Sequence, residues 1–332
     1  MIPLRHLLGL GALLGLLSFV AACNAADKPT RVPMNNNELM VTHSIGRFII
    51  QVPQSMKVAH RSSRLRHRDL VEVNWPSNVP HEKAQTGAWQ MRLADIQKMP
   101  PPKDKPSALI EQREINKMQP SIRSIRYFGD SDEEEINWDT LVAVGSAGLW
   151  IKSRGMVEYT DEILGHDLDI ARAYHSLDPA DVGPKANGFY LAHGYILLPY
   201  RSQEEAYARF EGHPLGLKLR VQTNETHEDE PHDEGLLGRL AASLATGMAT
   251  GVGVEKIRAG KRVVGGLKGE ETVLRAKTTD KTDLSFIWRY AGKKDSGEQP
   301  KILIEIEAKD GQLDEKLKLW DAVLDSFKPA GR

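Results

Sequence analysis

Cys23 is the only cysteine in the 332-residue chain, so whatever folds beyond it is held together by burial and hydrogen bonding, with no disulfide to help. Its position is equally constraining. Arg5 and His6 precede an apolar run from Leu7 to Val20, followed at once by small residues, which is the pattern of a secretory signal. A membrane-crossing helix needs about 20 apolar residues, and this run stops short. Val20-Ala21-Ala22-Cys23 resembles a bacterial lipobox, in which the chain is cut before a cysteine that then carries lipid. On this reading residues 1–22 are removed and Cys23 becomes the anchor. Three acyl chains, at about 0.8 kcal/mol per buried methylene, exceed the two signals that stable anchoring takes. Asn24, rather than an aspartate, follows the cysteine and points to the inner leaflet of the outer membrane, facing the periplasm.

Residues 23–40 form a tether: residues 24–40 contain two prolines and three consecutive asparagines, with no apolar period. The roughly 310 residues beyond the signal can bury about 75% of their unfolded surface and are long enough for two domains. The whole chain carries 44 Lys plus Arg against 45 Asp plus Glu, so no global charge favours nucleic acid.

The pattern beyond the tether alternates strands and helices, with the boundary at Asp181-Val-Gly-Pro184, giving domains 41–182 and 183–330. "HSIGRFIIQVP", "DLVEVNWP" and "AWQMRLADI" read as strands, "PSALIEQREINKMQP" as a helix, 140–160 as a hairpin turning near Gly145 to Gly148, and "DLDIARAYHSLDP" as a helix. In the second half "GYILLPY", "LGLKLRVQT", "ETVLRAK", "LSFIWRY" and "PKILIEIEAK" read as strands. "SQEEAYARF", with Ser202 as N-cap and Glu205 three residues on, reads as a short helix, and so does "EGLLGRLAASLATGM". Ile302, Ile304 and Ile306 share one strand face, leaving Leu303, Glu305 and Glu307 on a wet one. Leu313, Leu317, Trp320, Leu324 and Phe327 repeat every three or four residues, the mark of a core-facing terminal helix. The expected fold class is α+β: two domains, each an antiparallel-rich sheet with helices packed on one face.

Strong catalytic signatures are absent from the sequence. "GSAG" at 145–148 has the wrong spacing for a nucleophile elbow, so Ser146 reads as a turn residue. "TGVGVEK" and "GGLKGEE" lack the full pattern of dinucleotide and phosphate loops and read as connections. His227 and His232 among carboxylates lack a zinc spacing, and Pro231 breaks any helical face. No catalytic residue, metal site or cofactor is expected. Two acidic stretches, Asp130, Asp132, Glu133, Glu134 and Glu135 in one and Glu228, Asp229 and Glu230 in the other, read as solvated loops that can meet a basic surface on a partner. Trp288 and Trp320 belong to the core, whereas Trp75, Trp89, Trp138 and Trp150 would be interface anchors if exposed.

"HSIGRFIIQVP", "GFYLAHGYI", "RAGKRVVGGLKGEE", "FIWRYAG" and "LWDAVLDSF", in that order, resemble the class-four immunity proteins for type VI secretion lipase effectors. The resemblance implies a periplasmic, membrane-tethered inhibitor whose two domains close like a clamp on a phospholipase effector, with no chemistry of its own. It also implies that Ser44 and Tyr190 stand where cysteine is common in the family, leaving the domain junction without a covalent tie. Two rivals make different predictions: a general envelope lipoprotein with a lipid-binding or assembly role has no dedicated toxic partner, and a periplasmic hydrolase loses turnover on a single Ser, His or Asp change.

Overall fold

Period-two apolar patterning dominates the chain, and it builds sheets. The computed structural model describes residues 38–331 apart from 77, 119, 130–133, 178–187, 226–234, 239–252 and 278–280. In chain order the elements are β1 (Met40–Ile45), β2 (Phe48–Pro53), β3 (Lys57–Leu65), β4 (Arg68–Asn74), α1 (His81–Gln97), β5 (Leu109–Asn116), β6 (Ser121–Phe128), β7 (Glu135–Val144), β8 (Ala147–Met156), α2 (Thr160–Arg172) and β9 (Tyr174–Ser176). There follow β10 (Gly188–Tyr190), β11 (Gly194–Leu197), β12 (Glu204–Glu211), β13 (Lys218–Asn224), β14 (Gly253–Val264), β15 (Leu267–Lys277), β16 (Thr282–Tyr290), β17 (Lys301–Lys309), α3 (Leu313–Ser326) and β18 (Lys328–Pro329).

Twelve strands join in one sheet of order β14-β15-β16-β17-β13-β12-β3-β4-β8-β7-β6-β5, and two three-stranded sheets, β1-β2-β18 and β10-β11-β9, accompany it. Every described pairing is antiparallel. The join between early and late sequence is the β3–β12 ladder, from Lys57↔Glu211 to Leu65↔Glu204.

One face of the large sheet carries the main core. Ala206, Ala208 and Phe210 of β12, Leu219 and Val221 of β13, and Ile302, Ile304 and Ile306 of β17 point into it, where Trp320, Val323 and Leu324 of α3 and Phe48, Ile50 and Val52 of β2 meet them. Phe48 stacks on Phe327 with ring centroids 5.1 Å apart. Each fully buried aromatic removes about 150–250 Å² from water, a gross gain of about 4–6 kcal/mol before ordering costs. The opposite face is covered over its early half by α1, through Trp75, Trp89, Ile96, Ile125, Tyr127, Leu141 and Trp150.

The β7–β8 hairpin turns at Gly145-Ser146, with φ 54° at Gly145, and the terminal helix and the two-faced β17 lie where their spacing puts them. Other readings are corrected. Residues 88–96 belong to α1, not to a strand: Trp89 and Ile96, seven apart, share the buried face, while Met91 is 67% exposed. Residues 109–116 are edge strand β5, not a helix, because cross-strand pairing with β6 overrides helix propensity. Residues 204–211 are β12, and the Ala206, Ala208, Phe210 alternation defeats the capping box that suggested a helix. Of the glycine-bearing "TGVGVEK" and "GGLKGEE", residues 253–256 and 267–271 are strand, and β14 and β15 are joined through a tight turn at Gly265 and Gly266, with φ of 57° and 83°, while 250–252 lie outside the described residues. A β-carbon at Gly265 would stand 2.8 Å from the Phe327 carbonyl oxygen, so only glycine fits both the backbone angle and the contact. "HSIGRFIIQVP" is a hairpin rather than one strand, turning at Gly46-Arg47. The helix read at 167–179 starts earlier, at Thr160, and gives way to β9 at Tyr174. Of "EGLLGRLAASLATGM", residues 235–238 are helical and most of the remainder lies outside the described residues.

Candidate protein-binding face

α1 covers the outer side of β4 to β8, and helical residues 235–238 sit over Glu270 of β15, whose Oε2 accepts the Leu236 and Leu237 N–H groups at 2.7 and 3.1 Å. Between these two covers, the outer face of β3, β12, β13 and β17 bears no packed element among the described residues. The alternation that buries Ala206, Ala208 and Phe210 turns Glu205, Tyr207, Arg209 and Glu211 outward, and the neighbouring strands do the same with Lys218, Arg220 and Gln222, and with Leu303, Glu305 and Glu307.

Register then sets opposite charges side by side. Lys218 faces Glu307 and Arg220 faces Glu305. Arg220 Nη2 lies 3.3 Å from Glu305 Oε2 and 3.5 Å from Glu307 Oε1, Arg209 Nε lies 3.3 Å from Glu211, and Arg64 Nε lies 2.8 Å from Asp69. Partial burial raises the Glu305 carboxyl pKa, with Arg220 acting against it. Exposed pairs of this kind contribute at most about 1 kcal/mol each to stability, so their arrangement matters more for what can dock here. Two open hollows mark the face, of about 120 Å³ around Arg220 and Tyr207 and about 250 Å³ around Arg64 and Gln222. Both fall below the 300–1,000 Å³ of typical small-molecule pockets. The face suits a protein surface.

The residues singled out from sequence are elsewhere. Val20, Ala21, Ala22 and Cys23 lie outside the described residues, as do Asp130, Asp132, Glu133, Glu228, Asp229 and Glu230. Glu134 is exposed and its carbonyl accepts the Val157 N–H at 2.8 Å, while Glu135 opens β7 and lies 3.5 Å from Arg154 across the hairpin. Trp75, Trp89, Trp138 and Trp150 are all at most 7% exposed, so they pack the interior instead of anchoring a partner. Ser146 is the turn residue expected, its carbonyl receiving the Trp75 N–H. No cluster of three metal-ligating side chains occurs among the described residues. Near Ser44, Gly46 and Tyr190 exchange two backbone hydrogen bonds, of 3.2 and 2.8 Å, a non-covalent tie between the β1–β2 turn and β10. The capping-box pattern of Ser202 and Glu205 hides the outward residues of β12 from a local reading of the sequence; the A-x-A-x-F alternation is the signal that reveals them.

Under α3 the motif residues form a second charged cluster. Arg262 Nη1 donates to Asp321 Oδ1 at 2.6 Å and Glu271 Oε1 at 3.2 Å, its Nη2 donates to Asp325 at 2.7 Å, and Arg258 Nη2 donates to Asp321 at 2.9 Å. Trp320 Nε1 donates to Glu271 Oε1 at 2.6 Å, and Trp288 Nε1 to the Arg262 carbonyl at 3.2 Å. Burial pushes the Asp321 carboxyl up, but the hydrogen bonds from Arg258 and Arg262 hold it below the ordinary range. This cluster fastens the β14–β15 hairpin to α3.

Fold and face together define a class: a β-rich protein with a broad, charged, partly framed sheet surface. Residues 183–330 match the family described as the Tle cognate immunity protein 4 C-terminal domain, a stretch that contains the "GKR", "GEE" and Trp320-Asp321 motifs. Among solved structures, the apo immunity protein TplEi of the type VI secretion system of Pseudomonas aeruginosa superposes with a TM-score of 0.72 at 20% identity, covering 87% of this chain and 97% of its own. The Tle4–Tli4 complex contains a chain with the same values. TplEi complexed with an "L" peptide gives 0.69 at 19% identity, covering 88% and 99%. At such identities the likeness shows a shared fold: mostly antiparallel sheets with a few helices. No curated protein matches by sequence.

Proposed function

We propose that this chain is an immunity protein that binds and inhibits a phospholipase effector of type VI secretion in the periplasm, protecting the producing cell and its siblings. The match of residues 183–330 to the Tle cognate immunity protein 4 C-terminal domain carries the reading. The fold it shares with Tli4, which occurs in complex with Tle4, and with TplEi, which occurs in complex with a peptide, supports it. The protein acts by occupancy, not turnover. Inhibition requires an interface of at least about 1,000 Å² and tighter binding to the closed, inactive lipase than to the open one.

In this reading Cys23 carries the lipid and the tether read at 23–40, whose last residues Glu38 to Met40 join the fold at β1, holds the inhibitor at the inner leaflet of the outer membrane, next to the lipid its target attacks. The parts at 41–182 and 183–330 act as a clamp-like pair, and the acidic stretches at Asp130–Glu135 and Glu228–Glu230 add specificity contacts. The test uses the chain lacking residues 1–23, mixed with the phospholipase encoded beside its gene, following co-elution and phospholipid hydrolysis together. A stable complex with hydrolysis suppressed at a fixed molar ratio is expected; full hydrolysis in the presence of excess chain, with no complex, overturns the reading.

A further inference from the structure

The large sheet is open in its middle. β3 pairs with β12 along its whole length, but with β4 only at Ser63↔Leu70, Arg64↔Asp69 and Leu65↔Arg68. β4 in turn stays paired with β8 from Asp69 to Asn74. Beyond the apex at Ser63 and Leu70 the two strands part, and no described strand lies between them. The result is a wedge with two unpaired edges, 57–62 on β3 and 71–74 on β4. In an antiparallel ladder the N–H and C=O groups of alternate residues point to opposite sides, so each edge offers main-chain donors and acceptors that no described strand satisfies.

The sheet's outer edges are blunted in the usual ways. β14 has a register shift between Lys256 and Arg258, and β5 has two shifts and carries Glu111, Arg113 and Glu114. β3 has its own irregularity, opposite Arg209 and Phe210. β4 has none against β8, and it leaves Val71 45% exposed at the wedge. A regular, partly apolar, unpaired strand is the template on which an extended peptide adds.

The side chains at the wedge select the sign of its charge. Glu72 is already engaged, accepting the Ala192 and His193 N–H groups at 2.7 Å each. Arg61, opposite the buried Ala208 of β12, has its Nε buried without a hydrogen-bond partner among the described residues. Burial pulls its guanidinium pKa down, and the charge of Glu72 only partly offsets this. Burial, and then the Arg61 charge, hold His43 down at about 4. Lys57 adds a further exposed positive charge on the same edge. A half-buried cation whose Nε lacks a partner is costly, and an incoming carboxylate relieves it.

We propose that an extended, acidic segment of the effector enters this wedge, adding as a strand to the 71–74 edge of β4 in the place β3 vacates, with a carboxylate on Arg61. The proposal rests on the immunity reading and names where and how the partner is held.

Hydrogen–deuterium exchange on the chain lacking residues 1–23, free and in complex with the neighbouring-gene phospholipase, separates the two claims. Amides within 71–74 that exchange fast in the free protein and slow at least ten-fold in the complex are the expected result. A complex that forms without slowing them overturns the wedge and leaves immunity standing; no complex at all overturns immunity and the wedge with it. Slow exchange at 71–74 already in the free protein would mean that the chain's own segment or a second copy fills the wedge, which also overturns the proposal. Val71→Asp, an exposed change that repels an acidic segment, and Arg61→Glu should each weaken binding at least ten-fold. Affinity equal to that of the unaltered chain in Val71→Asp contradicts the proposal even if Arg61→Glu fails to fold.

Discussion

Two charged clusters, one on each side of the late strands, are made of the same residue types and do different work. Under α3, Glu271 is 7% exposed and receives hydrogen bonds from Trp320 and Arg262, with Arg258 3.0 Å away. On the uncovered face, Arg220 is 39% exposed and meets Glu305 and Glu307 at 3.3 and 3.5 Å. Water decides the difference. Removing a partner from the first cluster strands buried donors, whereas solvent replaces whatever is removed from the second. The first therefore holds the fold together, and the second is available for recognition at little structural cost.

The comparison breaks if the two clusters respond alike. The largest effect should come from Glu271→Ala, which leaves Trp320 Nε1 and two guanidinium groups without their shared acceptor and should cost about 3–5 kcal/mol by chemical denaturation. A loss below about 1 kcal/mol would put this cluster in the same class as the exposed one.

A third site sharpens the contrast. Asp167 is fully buried, accepting from Ser153 at 2.6 Å and Arg68 at 3.2 Å, and burial pushes its carboxyl up to about 7 in spite of those bonds. A carboxyl with a raised folded pKa stabilises most when protonated. Its contribution is complete below the unfolded value near 4 and is lost as pH rises to about 7, with a slope of up to about 1.4 kcal/mol per pH unit. Denaturation of the unaltered chain and of Asp167→Asn from pH 4 to 8 should show that slope in the first and its loss in the second.

The smallest effect belongs to Arg209→Ala on the uncovered face, within about 0.5 kcal/mol of the unaltered chain in stability. A drop above about 1.5 kcal/mol in the same denaturation assay would mean that this face supports the fold.

Legibility in the sequence followed how local each signal was. The Ile302, Ile304, Ile306 alternation and the three- and four-residue spacing before Phe327 identify β17 and α3 without knowledge of anything else in the chain. "AWQMRLADI" reads either way, since Trp89, Met91 and Leu93 alternate while Trp89 and Ile96 share a helical face; only the covered half of the sheet settles it. Of the five motifs that carry the resemblance, "GKR", "GEE" and Trp320-Asp321 supply Arg262, Glu271, Trp320 and Asp321 to the cluster under α3, so that part is legible for reasons of packing. The uncovered face and the wedge were not legible, because both depend on pairing Leu65 with Glu204, partners far apart in sequence whose register no local pattern encodes.

The most direct test of the account is Arg220→Glu, assayed for stability and for inhibition of the neighbouring-gene phospholipase in parallel. The expected result is a denaturation curve within about 1 kcal/mol of the unaltered chain and an inhibition curve shifted at least ten-fold to higher concentration. An unshifted inhibition curve would contradict the reading of the uncovered face as a protein-binding surface.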